Sequence, residues 1–171
     1  MENINDMMDD FKRHLNHGRI QKAYRYIFEI FSDVVNQFKE GQDKTISTHS
    51  LYHGYLDMSY LPVTTEVLKV NGLKIAVVFN YSSFQFEIWL SAVNRQKRKE
   101  FIDIITRSSW KKYKPVENDE NTDAIIDITI KGIDDFSNKN GVVTIIANQV
   151  RSFIDDTEAF IRDYGTSNRR S

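Results

Sequence analysis

Two alternating runs in the middle of the chain limit what it can fold into. Leu73, Ile75, Val77 and Phe79 alternate with Lys74, Ala76, Val78 and Asn80. After Tyr81-Ser82-Ser83, a second run alternates Phe84, Phe86, Ile88 and Leu90 with Gln85, Glu87 and Trp89. A period of two sends successive side chains to opposite faces, so both runs read as strands with one apolar face, joined as a hairpin. Pairing Phe79 with Phe84 sets Val77 against Phe86, Ile75 against Ile88 and Leu73 against Leu90. The other face then sets Val78 beside Gln85, Ala76 beside Glu87 and Lys74 beside Trp89. A slip by one residue would move Glu87 and Gln85 among the aliphatics, so the pattern selects its own register. An apolar sheet face must be covered, and the rest of the chain has to supply the cover.

Helical periodicity supplies it. Ile20, Tyr24, Ile27, Phe31, Val34, Val35 and Phe38 form one stripe that ends near Gly41, a favourable cap residue. Lys22, Arg25, Glu29 and Asp33 lie on the other side and read as solvated charge. Before that helix, Met7, Met8, Phe11 and Leu15 recur at helical spacing over residues 4–16, and Gly18 interrupts. From Tyr52 to Leu61 the chain alternates, with Leu56, Met58 and Tyr60 on one side and Tyr55, Asp57 and Ser59 on the other. This predicts a strand stopped by Pro62, then a single helical turn capped by Thr64 or Thr65 before Gly72. Beyond the hairpin, Ala92, Val93, Phe101, Ile102, Ile104 and Ile105 mark a helix from about Asn94 to Arg107, and Ile126, Ile128 and Ile130 a further strand. Val142, Val143, Ile146, Val150, Phe153, Ile154, Phe160 and Ile161 mark a last helix over about 140–163, with Gly165 past its end. The polar stretch 117–123 reads as a loop and 166–171 as a frayed tail. The expected architecture is one α+β domain over residues 1–165. It has a small, mostly antiparallel sheet of about four strands packed by long N- and C-terminal helices, in the order αα-β-(α)-ββ-α-β-α.

Composition narrows function by exclusion. The 23 Lys and Arg against 24 Asp and Glu leave a formal charge of −1, so no global field steers the chain onto nucleic acid or an anionic membrane. The absence of cysteine removes disulfides, thiolate zinc sites and cysteine nucleophiles. The acidic start Met1 to Asp6 has no apolar core of a leader, and no run approaches the ~18 apolar residues of a membrane span, so a cytoplasmic location without a membrane partner is expected. The motifs G-x-x-x-x-G-K-[ST], G-x-G-x-x-G, G-x-S-x-G and H-E-x-x-H are all missing, which takes the usual support from phosphate-loop, dinucleotide, serine-hydrolase and zinc-peptidase readings.

The segments Gly54-Tyr55-Leu56-Asp57-Met58-Ser59-Tyr60, Leu73 to Asn80, Phe84 to Leu90 and Asn94-Arg95 resemble a family of small bacterial and archaeal proteins. The family pattern is G-Y-M-D-M-T-Y-F, L-K-I-A-I-V-F-N, F-R-F-E-V-W-L and N-K. The resemblance extends upstream to Gly18, Ile20, Gln21, Lys22, Ala23 and Tyr24 and weakens after Trp110. Gln85 stands where the family has arginine, so no cation is supplied beside Glu87 from that position. No activity is assigned to the family, so the resemblance implies domain extent and no chemistry.

Candidate chemistry gathers on the polar side of the strands: Asp57, Lys74 and Glu87, with Gln85, Trp89 and Asn94 nearby. Two carboxylates and a lysine on one face are the ingredients of a Mg²⁺-dependent nuclease, and a hairpin followed by a helix and a strand suits such a core. In that fold, however, a lysine follows the glutamate by two residues, where this chain has Trp89. The plainer alternative is a Lys74–Glu87 cross-strand ion pair, with Asp57 accepting a local hydrogen bond. Tyr52, Tyr55, Tyr60 and Trp89 have the composition of a small-molecule pocket wall, and equally that of core. His49, His53 and Asp57 are spaced by four, but in an extended chain such ligands stand about 13 Å apart, out of coordination reach. His14 and His17 read as surface residues. Arg95, Lys97, Arg98 and Lys99 at one end of a helix, with Arg107, Lys111, Lys112 and Lys114 at the other and Trp110 and Tyr113 between, form a basic edge able to hold phosphates and stack a base. A solvated face is the simpler account of it. The expectation is a non-enzymatic binding or protein-interaction module without metal or cofactor. Nucleic-acid binding through Arg95 to Lys114 and a divergent nuclease using Asp57 and Glu87 are the alternatives. A homodimer contact along the last helix, whose Ile145 and Ala159 lie off the main stripe, is also expected.

Overall fold

A computed structural model describes residues 3–41, 45–116 and 122–168, with side chains to Tyr164. Five strands, β1 (Ser47–Thr48), β2 (Met58–Thr64), β3 (Leu73–Asn80), β4 (Gln85–Ala92) and β5 (Ala124–Thr129), form one sheet in sequence order, every neighbouring pair antiparallel. The two-residue β1 is the strand that periodicity misses, since two residues carry no alternation.

The hairpin register differs from the expected one by two residues. Phe79 pairs with Phe86, Val77 with Ile88, Ile75 with Leu90 and Leu73 with Ala92. The shift is even, so the apolar face is the expected one. Turn chemistry decides the difference. Asn80 Oδ1 accepts the Ser82 and Ser83 backbone N–H groups at 3.0 and 3.4 Å, and Phe84 adopts φ 55°, closing a four-residue connection. Phe84 is thus a loop residue, although its ring still meets that of Phe79 edge-on at 5.1 Å.

β2 starts later than its alternation suggests and runs through Pro62 rather than ending there. The Pro62 carbonyl accepts from His49, so its missing N–H falls on the side of the short edge strand and takes nothing from the ladder with β3. Before β2 the chain bends through Gly54 (φ 69°) and Leu56 (φ 65°), leaving Tyr55 91% exposed. A Cβ on Gly54 would stand 1.8 Å from the Met58 carbonyl oxygen, so only glycine fits.

Helices α2 (Arg19–Glu40), α3 (Glu66–Val70), α4 (Arg95–Arg107) and α5 (Lys139–Asn168) build the core with the face of Leu61, Ile75, Val77, Ile88 and Ile126. Ile30, Phe31 and Val34 of α2 meet Val150 and Phe153 of α5 in this core, and Phe31 lies edge-on to Phe86 of β4 at 5.5 Å. Thr65 caps α3, its Oγ1 accepting the Leu68 N–H and donating to Glu158 of α5 at 2.6 Å. Glu29 and Asp33, expected as solvated charge, both pair with Lys139 and tie α2 to the start of α5. The α5 backbone stays helical through Gly165 to Asn168, past the expected end; glycine weakens a helix without a proline to stop it. Ile145, expected off the stripe, packs against the chain's own core. Of the expected loop 117–123, residues 117–121 lie outside the described residues, as does the end of the tail.

One helix contributes nothing to this core. α1 (Ile4–Asn16) has no buried residue; Ile4 is 66% and Phe11 50% exposed. It is joined to α2 through Gly18 at φ 65°. Among the described residues, no helix is long and apolar enough to cross a membrane.

Candidate functional site

The sheet face turned away from the core carries two rows of side chains: Tyr60, Val78, Glu87 and Thr129, then Pro62, Ala76, Trp89 and Asp127. None of them belongs to the core cluster of the helices. Tyr52 stacks on Tyr60 at 4.9 Å and extends the surface past β2. Four of the expected site residues, Lys74, Gln85, Glu87 and Trp89, share this face. Glu87 accepts from Trp89 Nε1 at 2.8 Å, and from Asn80 Nδ2 and Ser83 Oγ at 3.2 Å each. That network fixes the indole and closes the turn. Lys74 pairs across to Ser91, four residues and about 13 Å along the strand from the Glu87 row, so the expected Lys74–Glu87 ion pair is not formed.

The other two do not join them. Asp57 sits in the bend before β2, at the alternation position of Ser59 and Leu61, which is the helix side. Its Oδ1 accepts the Tyr55 N–H at 2.9 Å, and the backbone N–H groups of Tyr55 and Met58 hold its carboxyl below the usual range. Asn94 caps α4, its Oδ1 accepting the Lys97 N–H at 2.8 Å. The carboxylates a nuclease would need therefore do not converge. Among the described residues, no group of three histidine or acidic side chains is arranged to hold a metal. His53 lies against the Phe28 ring at 4.6 Å, and its carbonyl accepts from Tyr24.

The basic edge is largely committed to the fold. Arg98 Nε donates to the Ala124 carbonyl at 2.9 Å and anchors the start of β5. Lys97 meets Glu100 at 3.5 Å, Lys112 meets Asp156 at 2.5 Å, and Lys111 donates to the Ser108 carbonyl. Arg95 and Lys99 are exposed.

Beside that edge, α4 and α5 diverge around a cleft of about 770 Å³. Trp110 lies flat on Phe160 of α5, centroids 4.3 Å apart and planes 9° apart, with Tyr164 following at 6.2 Å from Phe160. The rim holds Glu100, Asp103, Asp156 and Asp163 with Arg107; of these carboxylates Glu100 already pairs with Lys97 and Asp156 with Lys112. Tyr113 lies edge-on to Trp110 at 5.4 Å and donates to Asp156 Oδ2 at 2.7 Å; burial first, and then that carboxylate, push its phenol up. Trp110 and Tyr113 are legible in the sequence as aromatics among lysines. Phe160, Asp103 and Asp156 are not, because strand and helix periods do not say which ends of α4 and α5 meet. With the Trp110 indole on its wall and Asp103 on its rim, the cleft has room for a flat apolar molecule.

No curated protein and no solved structure matches the chain. A family model described as a domain of unknown function, DUF7000, matches residues 4–161. That span takes in α1, the whole sheet and all but the end of α5, and the chain belongs to the DUF7000 family.

Proposed function

We propose that this chain is a non-enzymatic binding module that seats a small organic molecule in the α4–α5 cleft. The observation that supports this is the stacked Trp110–Phe160 wall in a cleft of about 770 Å³, within the roughly 300–1,000 Å³ typical of ligand pockets. The half-buried Trp110 indole, seated on buried Phe160, offers contact to a flat apolar body, and Asp103 on the rim favours a cationic group on it, Glu100 and Asp156 being already paired with Lys97 and Lys112. Among the described residues Asp103 has no ion-pair partner, which leaves it available to such a group. Neither the divided Asp57 and Glu87 nor the paired lysines of the basic edge offers a comparable seat.

The test uses two indoles of opposite charge, tryptamine and indole-3-acetate, titrated into labelled protein and followed by amide shifts. Tryptamine is expected to move amides of residues 100–110 and 156–164 and to bind more tightly than the acid. Ala159→Phe, which fills the cleft from an exposed position of α5, is expected to abolish the shifts while leaving stability within about ±0.5 kcal/mol. Shifts that survive Ala159→Phe, or silence from both probes, would overturn the proposal.

A further inference from the structure

Between Asp10 and Glu29 the chain carries Lys12, Arg13, Arg19, Lys22 and Arg25, together with His14 and His17, and no acidic residue. All of these side chains are exposed. At about 1.5 Å per residue, the strong cations fall within about 11 Å of Gly18 along the two helix axes. The fold leaves most of them unneutralised. Arg13 pairs with Asp10, and Glu29 and Asp33 are taken up by Lys139, while Lys12, Arg19, Lys22 and Arg25 have no ion-pair partner among the described residues.

The start of α2 also stands clear of the core. From Arg19 to Arg25 every residue is exposed except the half-buried Tyr24, and the first buried side chain of the helix is Ile27. On these two turns Arg19, Lys22 and Arg25 follow one ridge, three residues apart, with neighbouring Cβ atoms about 5–6 Å from one another. At about 3.6 residues per turn, Lys22 lies about 160° around the helix from Ile20, so charge and apolar surface point apart.

We infer that this ridge seats on the phosphate backbone of a DNA duplex, the two free turns of α2 entering the major groove. A helix about 10–12 Å across matches a groove about 12 Å wide, and cations along its flank reach the phosphates that border it. The deep, narrow major groove of duplex RNA does not admit a helix. No exposed aromatic ring stands on these two turns to stack an unpaired base, so a single strand gains charge contacts alone. An anionic bilayer is the poorer match, because it takes cations and apolar side chains from the same side. The net charge of −1 adds no long-range field, so the contact is local and weak. The ridge shares no residue with the α4–α5 cleft, and the apolar stripe of α1 takes no part in it.

The test is fluorescence anisotropy of the full chain with a random-sequence DNA duplex of ~20 base pairs, from ~20 to ~200 mM salt. Binding is expected in the micromolar range at the lowest salt, the logarithm of the association constant falling against that of salt with a slope of about −3 to −4. Lys22→Glu combined with Arg25→Glu, both at exposed positions, is expected to weaken binding at least ~10-fold and to flatten the slope by about 2, with the denaturant midpoint unmoved. Arg95→Glu combined with Lys99→Glu, on the other basic edge, is expected to leave the slope unchanged. An RNA duplex and a single DNA strand of the same length are expected to bind at least ~3-fold more weakly. No binding at ~20 mM salt, a slope indifferent to the Lys22 and Arg25 changes, a slope that falls instead with Arg95 and Lys99, or RNA bound as tightly as DNA would each overturn the inference. So would phosphatidylglycerol vesicles that bind the native chain more tightly than the duplex does and lose it in the Lys22 and Arg25 variant.

Discussion

α1 and α2 follow one another across His17 and Gly18, and both carry an apolar stripe at helical spacing. α2 buries Ile27, Ile30, Phe31, Val34 and Phe38 against the sheet and α5; α1 buries nothing. Their propensities and patterns are alike, so the difference lies in what stands opposite the stripe. Periodicity reports that a face is made to be covered, and leaves open whether the cover comes from the same chain. Hydrophobic stabilisation follows area removed from water, so side chains of equal size are worth several kcal/mol in one helix and almost nothing in the other.

The largest effect that sharpens this contrast is at Phe31, 1% exposed and edge-on to Phe86. Phe31→Ala removes a ring from a packed core and is expected to cost about 3–5 kcal/mol, read from the shift of the denaturant midpoint. A loss under ~1 kcal/mol would mean that α2 is not the main cover of the sheet, and the contrast with α1 would fail.

The same reasoning separates what the sequence makes legible from what it hides. The two faces of the hairpin follow from alternation alone, because one period fixes both. Its exact register does not, since Asn80 folding its amide back over Ser82 and Ser83 moves every pair by two without moving any residue to the other face. Asp57 and Glu87 look like neighbours while both are read as polar positions of adjacent strands. The bend at Gly54 and Leu56 delays the start of β2 and leaves Asp57 on the helix side, where its carboxylate closes its own loop. Trp89 was legible as a residue of the outward face; the cleft was not, because it depends on how the last turns of α4 and α5 splay around Phe160.

A smaller effect is expected at the joint. Gly18 holds φ 65° with open space around it, so Gly18→Ala meets no steric neighbour and carries only the left-handed backbone cost, about 1 kcal/mol in thermal unfolding. A change below ~0.3 kcal/mol would show that the joint re-forms freely in another conformation because α1 is tied to nothing else. Smaller again, and local, is the loss of the α1 cap. Asn3 Oδ1 accepts the Asn5 N–H at 3.1 Å, and Asn3→Ala is expected to speed amide exchange within α1 by roughly 2–5-fold while the unfolding midpoint stays put. A midpoint that moves with it would place α1 in the same cooperative unit as α2.

The smallest expected effect is the most diagnostic, because it repeats the first substitution on the other helix. Phe11→Ala deletes the same ring as Phe31→Ala, but from a side chain that is 50% exposed and touches no core residue. Alanine is also the better helix former, so global stability is expected to change by less than about 0.5 kcal/mol. A loss comparable to that of Phe31→Ala, read from the denaturant midpoint, would show that α1 packs on the fold as α2 does.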